Sequence, residues 1–238
     1  MEPNYWNKLL VVTGQFIIPF LFLPILIGLL RWKSLDKPLR IFFYSLLVYV
    51  LLNVFDILYY IVAETYMDFF RPWLEITDYM VTFTLIFYQL NTFLLLGLFF
   101  TYLFPKPSYK VTIRVLSYGL AILAIIAYIY ECGWRNYGSI GPTTEGLFRF
   151  FIPLIYLWWL SQRHLGVRLM SMSQFWIALG LILPSLVGFF LFMIGNEANT
   201  QAPNLFYQLS LLKNIFVISS AVFYSIAFWK ANPALATN

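Results

Sequence analysis

Seven runs of mostly apolar residues follow one another along this chain, roughly over 8–31, 40–64, 74–104, 110–131, 146–165, 172–194 and 204–230. A helix rises 1.5 Å per residue, so about 20 residues cross the ~30 Å hydrocarbon of a bilayer. Water is absent there, and a helix is the form that satisfies its own backbone groups. The gaps are short and carry breakers: "SLDKP", "MDFFRP", "PKPSY", "GSIGP" and "GNEANTQAP". None is long enough for a soluble domain. The expectation is an all-α polytopic membrane protein, a single seven-helix transmembrane domain over 1–238. The charge content agrees: 11% of residues are charged, against about 25% in soluble domains.

The loops set an orientation. Arg31, Lys33, Lys37, Arg40, Lys106, Lys110, Arg114, Arg163, Arg168 and Lys230 fall on one side; Lys8, Arg71, Arg135 and Arg149 fall on the other. Eight of the ten acids (Glu2, Glu64, Asp68, Glu75, Asp78, Glu131, Glu145 and Glu197) join the poorly basic side. Cytoplasmic loops are enriched in Lys and Arg, so the N-terminus is expected outside and the C-terminus inside, in the cytoplasmic (inner) membrane of a cell. The first run is too long for a cleavable leader, and its basic flank follows it. The net charge of +5 is spread between spans, which argues against a nucleic-acid partner and for the lipid bilayer as the main one. Cys132 and His164 are single. An intrachain disulfide is impossible, and no thiolate metal site, cofactor or Ser/His constellation is indicated.

Polar residues within the spans are few and share faces. The second span carries Tyr49, Asn53, Asp56 and Tyr60, with Glu64 at its outer end, at spacings of three and four. The third carries Asp78, Thr82, Gln89 and Thr92, with Tyr88 and Asn91 beside them. The seventh carries Ser210, Lys213, Ser220 and Tyr224, with Asn214 adjacent, and the first adds Gln15. The fourth offers little beyond Ser117, Tyr118 and Tyr128. Spans 2, 3 and 7 are therefore expected to line an interior, and span 4 to face lipid or pack plainly.

Asp56 lies about 12 Å from the outer end of its span and Lys213 about 13 Å deep in its own, by the helical rise. They are read as the only acid and base well inside the bundle, facing each other where the seventh helix closes a ring against the first two. Each alone costs roughly 2.5–3.5 kcal/mol to insert. Three readings follow: a structural ion pair, a binding or proton site, or a Lys213 that snorkels outward. The acids Glu64, Asp68, Glu75 and Asp78 around Arg71 form either a solvated face or an acidic vestibule. Pro19, Pro24, Pro153 and Pro184 are expected kinks or hinges.

"FWIALGLILPSLVGFFLF" followed by "LSLLKNIFVISSAVFYSIAFW", with "LPILIGLLRWKSLDKPLRIFFYSLL" near the start, resembles a family of uncharacterised bacterial seven-helix membrane proteins. The resemblance implies the seven-helix topology and no particular activity. It also implies a Glu in helices 2, 3 and 5, where the nearest residues are Asp56, Asn91 and Glu145; Asn91 departs from that pattern.

The reading favoured from sequence is a sensor or small-ligand binding protein. Its outward polar cavity is expected from spans 1, 2, 3 and 7, around Asp56, Lys213, Asn53, Gln89, Asn91, Asn214, Gln15, Tyr60 and Tyr224, for a small-molecule or lipid ligand. The alternative is a proton- or cation-coupled transporter, although no internal repeat is visible. A membrane enzyme is less supported. A retinal protein with a Schiff base at Lys213 lacks a mid-span acid in the third helix.

Overall fold

The computed structural model describes residues 3–65, 78–132, 140–163 and 169–231. Among these, every long element is a helix. α1 (Pro3–Leu30) ends in a 3-10 turn over Trp32–Ser34, and α2 spans Lys37–Thr65. A third rod runs from α3 (Asp78–Leu90) through a π-helical turn (Asn91–Leu96) into α4 (Gly97–Leu103). α5 (Pro107–Ala127) continues as a π turn over Tyr128–Cys132. α6 (Ile140–Arg163), α7 (Ser173–Gln201) and α8 (Pro203–Trp229) complete the chain.

The gap prolines mark helix starts. Pro107 and Pro203 open α5 and α8, Pro38 is second in α2, and Pro142 is third in α6. The first-turn N–H groups have no intrahelical acceptor, so a proline there loses nothing and its fixed φ suits the turn. This moves the start of α6 to Ile140 from the expected 146. α7 likewise runs on through "GNEANTQ", a stretch whose polarity suggests a loop. Glu, Ala and Gln are good helix formers, and outside hydrocarbon polarity does not end a helix. Asp36 caps α2, its Oδ1 accepting the Leu39 N–H at 2.9 Å.

Among the described residues, six helical stretches are long and apolar enough to cross a membrane: Val12–Leu30, Lys37–Tyr59, Thr84–Leu103, Pro107–Tyr130, Ser173–Leu191 and Asn204–Trp229. The chain is that of a multi-pass membrane protein. α6 is long enough but less apolar, because it carries Glu145 and Arg149 among threonines and tryptophans.

α8 lies between α1 and α7; α7 packs on α6, α6 on the third rod, that rod on α2, and α2 on α1. These rods form a ring, with α5 outside it against the third rod and α6. Ile113, Ser117, Ala121, Ala124 and Ala127 of α5 are buried along one face, and Val111, Val115, Ile122 and Ile126 are exposed on the other. The contact is close because Gly97 has no side chain: a Cβ there would collide with Ser117 Oγ.

The two ends of the ring differ. At the end where α1 passes to α2, aromatic rings fill the space. Phe93, Phe99, Phe100, Phe104 and Phe228 are fully buried. Phe42 of α2 meets Tyr224 and Phe228 of α8 at centroid distances of 5.0 and 6.0 Å. In a membrane such packing gains dispersion energy rather than hydrophobic energy, since lipid tails are as apolar as the core. The basic residues outside this plug lie over rings: Arg31 on Trp229, Lys37 on Tyr102, Arg40 on Trp32 and Lys106 on Tyr109.

Pro184 interrupts α7 and leaves the Gly180 carbonyl without its helical donor. Ser220 of α8 supplies a replacement, its Oγ donating to Gly180 O at 2.6 Å. The helices approach closely here: a Cβ on Gly180 would lie 2.5 Å from Tyr224 Cε1.

Candidate functional site

The half of the ring away from the basic end is polar and holds a cavity of about 290 Å³. α2 contributes Tyr49, Asn53 and Asp56, and α3 contributes Tyr88. α6 contributes Glu145 and Arg149, and α8 contributes Lys213. Apolar wall comes from Leu85, Pro142, Pro184 and Val217, with Gly146 and Gly188 giving room. Counted from their helix ends, Asp56, Tyr88, Arg149 and Lys213 are all about 14–15 Å in and Glu145 about 8 Å in. One level of the bundle thus collects four ionisable side chains.

Each has neighbours that suit its charge. The Tyr88 hydroxyl donates to Asp56 Oδ2 at 2.9 Å. Glu145 Oε1 accepts from Thr92 Oγ1 at 2.8 Å and from Arg149 Nη1 at 3.3 Å. The Glu145–Arg149 pair is an i,i+4 ion pair on one helix face, the spacing at which such side chains meet. The Arg149 guanidinium also lies 5.8 Å from the Tyr49 ring centroid, and Tyr49 packs edge-on to Tyr88 at 5.4 Å. Glu145 and Arg149 both act on the charge of Lys213, whose stem passes over Gly188. The Asn53 amide donates to Tyr49 O, within its own helix, at 2.8 Å.

The π turn of the third rod aims two further groups. Such a turn holds an extra residue and shifts the face that follows, and π turns are frequent at functional sites. Here Thr92 reaches Glu145, while the Asn91 amide donates to Ser45 O of α2 at 3.0 Å.

A smaller cavity of about 50 Å³ lies toward the aromatic plug. It shares Tyr49, Arg149, Pro184 and Val217 with the larger one and adds Asn91, Thr92, Ser220 and Tyr224. Arg149 Nε and Asn91 Oδ1 are buried without a protein hydrogen-bond partner. One is a donor and the other an acceptor, and both residues line this space.

The residues singled out from sequence divide accordingly. Asp56, Asn53 and Lys213 line the larger cavity, and Asn91 and Tyr224 the smaller. Gln89 lines neither: it is buried against the start of α6, where a Cβ on Gly141 would lie 2.5 Å from its Nε2. Asn214 turns to α1 and donates to Thr13 Oγ1 at 3.3 Å. The side chains of Gln15, Tyr60, Glu64 and Asp78 lie outside the described residues, as do Asp68, Glu75 and His164. Among the described residues, α5 lends no side chain to either cavity, and α1 lends only Leu21, to the smaller.

Asp56 and Lys213 are not the only deep charges. Glu145 and Arg149 join them, and α6 is a wall of the cavity in the place the first span is expected to fill. Composition and spacing miss them because "GSIGP" reads as a loop, which puts both residues toward the surface among the topology charges; only the family resemblance points to Glu145. The signal is present all the same: an acid and a base four residues apart, on a run whose proline suits a first turn. Among the described residues, no group of three His, Cys, Asp or Glu side chains stands close enough to hold a metal ion. No protein-family model, curated protein or solved structure matches the chain.

Proposed function

We propose that this is a seven-span protein of the cytoplasmic membrane, N-terminus outside and C-terminus inside, that senses or holds a small ligand in the larger cavity. The observation carrying this reading is that four charged residues line a space of about 290 Å³ inside an otherwise apolar bundle. Ionisable groups at that depth are expensive and, by default, functional. A largely apolar pocket with a few convergent polar groups is the usual form of a small-ligand site. α6 serves as the seventh span, its 24 residues reaching about 36 Å. The positive-inside rule places the cavity in the outer half. Asp56 and Lys213 balance each other's charge across it.

Native mass spectrometry of the gently solubilised protein tests the reading. A small molecule should be retained by the wild type and lost from Arg149→Met and Asp56→Asn variants that elute as the same species. Retention unaffected by either change would place the molecule elsewhere. Labelling of single added cysteines from outside intact cells should mark segment 65–73 and spare segment 32–39; the reverse pattern would invert the topology.

Coupled transport is the second reading. Its support is that the two cavities share Tyr49, Arg149, Pro184 and Val217 as lining, together with prolines inside α1, α6 and α7. Proteoliposomes separate the two: a transporter moves its ligand inward down a proton or cation gradient, and a sensor binds without flux.

A further inference from the structure

We propose that the larger cavity selects a small zwitterion of the α-amino acid type, its ammonium group held at Asp56 and its carboxylate at Lys213 and Arg149. The proposal rests on the ligand-binding reading above and gives that ligand a chemical class.

The charges of the site argue for it. Asp56 and Glu145 carry two formal negative charges, and Arg149 and Lys213 two positive ones. Glu145 and Arg149 neutralise each other at 3.3 Å on one helix. Glu145 acts on Lys213 as well, so these three side chains together carry one positive charge against the one negative charge of Asp56: a site of no net charge with two poles. Asp56, on α2, forms the negative pole. Tyr88 engages one of its oxygens, and the Tyr49 ring packs on Tyr88. A carboxylate has about four acceptor positions, so Asp56 can take the Tyr88 hydroxyl and an ammonium N–H together. The neighbouring aromatic faces favour a cation further. Lys213 on α8 forms the positive pole, on the side of the ring where Arg149 also stands. Arg149 brings a buried Nε–H with no protein acceptor, and a guanidinium suits a planar carboxylate.

Net charge then excludes the simpler alternatives. A singly charged ligand would add an uncompensated charge to a low-dielectric interior, which is strongly unfavourable. A zwitterion adds none and meets a complementary group at each end. Size agrees. At ~30 Å³ of liquid volume per water, 290 Å³ is room for about ten waters, or a molecule of roughly ten heavy atoms. Leu85, Val217, Pro142 and Pro184 supply apolar wall for a side chain.

The test uses the full-length protein in mild detergent at pH 7, with thermal unfolding and titration calorimetry. The probes are the twenty common amino acids and glycine betaine. Each zwitterion that binds is paired with the amine lacking its carboxylate and the acid lacking its amino group. At least one zwitterion should raise the unfolding temperature, and each single-charge analogue should bind at least tenfold more weakly. Asp56→Asn should weaken the zwitterion about tenfold and leave the acid analogue unchanged. Arg149→Lys should weaken the zwitterion and leave the amine unchanged. The analogue comparison is made on wild type, so it stands even where a variant fails to fold. No binding by any zwitterion probe, or a single-charge analogue binding as tightly, overturns the proposal. A co-purified molecule of single net charge, lost on cavity substitution, would overturn it while sparing the ligand-binding reading. Absence of any cavity ligand would remove both.

Discussion

Removing the Ser220 hydroxyl should expose the cost of the proline in α7. Pro184 has no N–H, so the Gly180 carbonyl depends on Ser220 Oγ, 2.6 Å away on α8. Ser220→Ala leaves that carbonyl without a donor in a buried position. Its other acceptor, Phe216 O at 2.7 Å, keeps the helical bond of α8 and is not orphaned. A buried unsatisfied polar group costs about 1–3 kcal/mol in soluble proteins. Hydrogen bonds between membrane helices measure lower, averaging about 0.6 and reaching about 1.7 kcal/mol. We expect about 1–1.5 kcal/mol, roughly a five- to thirteenfold shift in the folding equilibrium, because here no backbone donor can substitute. The control is Pro184→Ala, which returns an N–H to Gly180 O. In that background Ser220→Ala should cost no more than about 0.3 kcal/mol, since the carbonyl keeps its helical donor. Reversible unfolding in mixed micelles, followed by tryptophan fluorescence, measures the full cycle. If Ser220→Ala costs the same in the wild type and in the Pro184→Ala background, the hydroxyl does not compensate the proline and the reasoning fails.

Asp56→Asn and Lys213→Met should each destabilise, by up to the ~3–5 kcal/mol seen when one partner of a buried pair is removed in soluble proteins. The double variant should recover much of the loss, and simple addition in thermal unfolding would show that the two charges are not coupled. Gly97→Val should force α4 and α5 apart at Ser117 and cost about 1–3 kcal/mol. Gly119→Val, where nothing lies within 4 Å, is the comparison, and equal melting losses would refute the close approach. Asp36 lies outside the spans, and burial holds its carboxyl above its ordinary value, against the Leu39 N–H bond and the Arg40 charge that lower it. Its raised folded pKa means that the stability tied to it is complete below the unfolded pKa and is lost as pH rises through the folded one. Asn caps a helix as well as Asp, so Asp36→Asn should match wild type near pH 3 and exceed it increasingly toward pH 7, across the carboxylate range of about 4 and above. A gap that shrinks with rising pH would show the opposite sign.

Much of this architecture is legible because hydrocarbon leaves the chain few choices. Apolar runs of sufficient length have to be helices, and the Asp56, Asn53 and Tyr49 face has to turn inward. Three things are not legible. Prolines in "GSIGP" and "QAP" break a helix or open one depending on register, and their composition alone points to breaks; Glu145 and Arg149 are lost with that choice. The π turn at Asn91–Leu96 carries no compositional mark, and it decides that Asn91 meets Ser45 O while Thr92 meets Glu145. The neighbours of each rod in the ring are the third. Adjacency in sequence places the seventh helix against the first two, but α7 and α1 flank α8, and α2 reaches it through Phe42 and Phe43.

The placement of the Glu145–Arg149 pair on one helix also bears on how the protein is made. α6 is less apolar than the six stretches that can cross a membrane, so on the seven-span proposal its entry into the bilayer depends on shielding its charges early. Because the partners stand four residues apart, they neutralise each other as soon as the segment leaves the ribosome and coils, before α7 and α8 are made. Asp56 is in a different position. It emerges with α2 and meets the Tyr88 hydroxyl only when the next rod arrives, while Lys213 comes later, with α8. A ribosome stalled before α8 would leave a nascent chain whose Glu145–Arg149 pair is complete and whose Asp56 already has the Tyr88 hydroxyl, with Lys213 still to come.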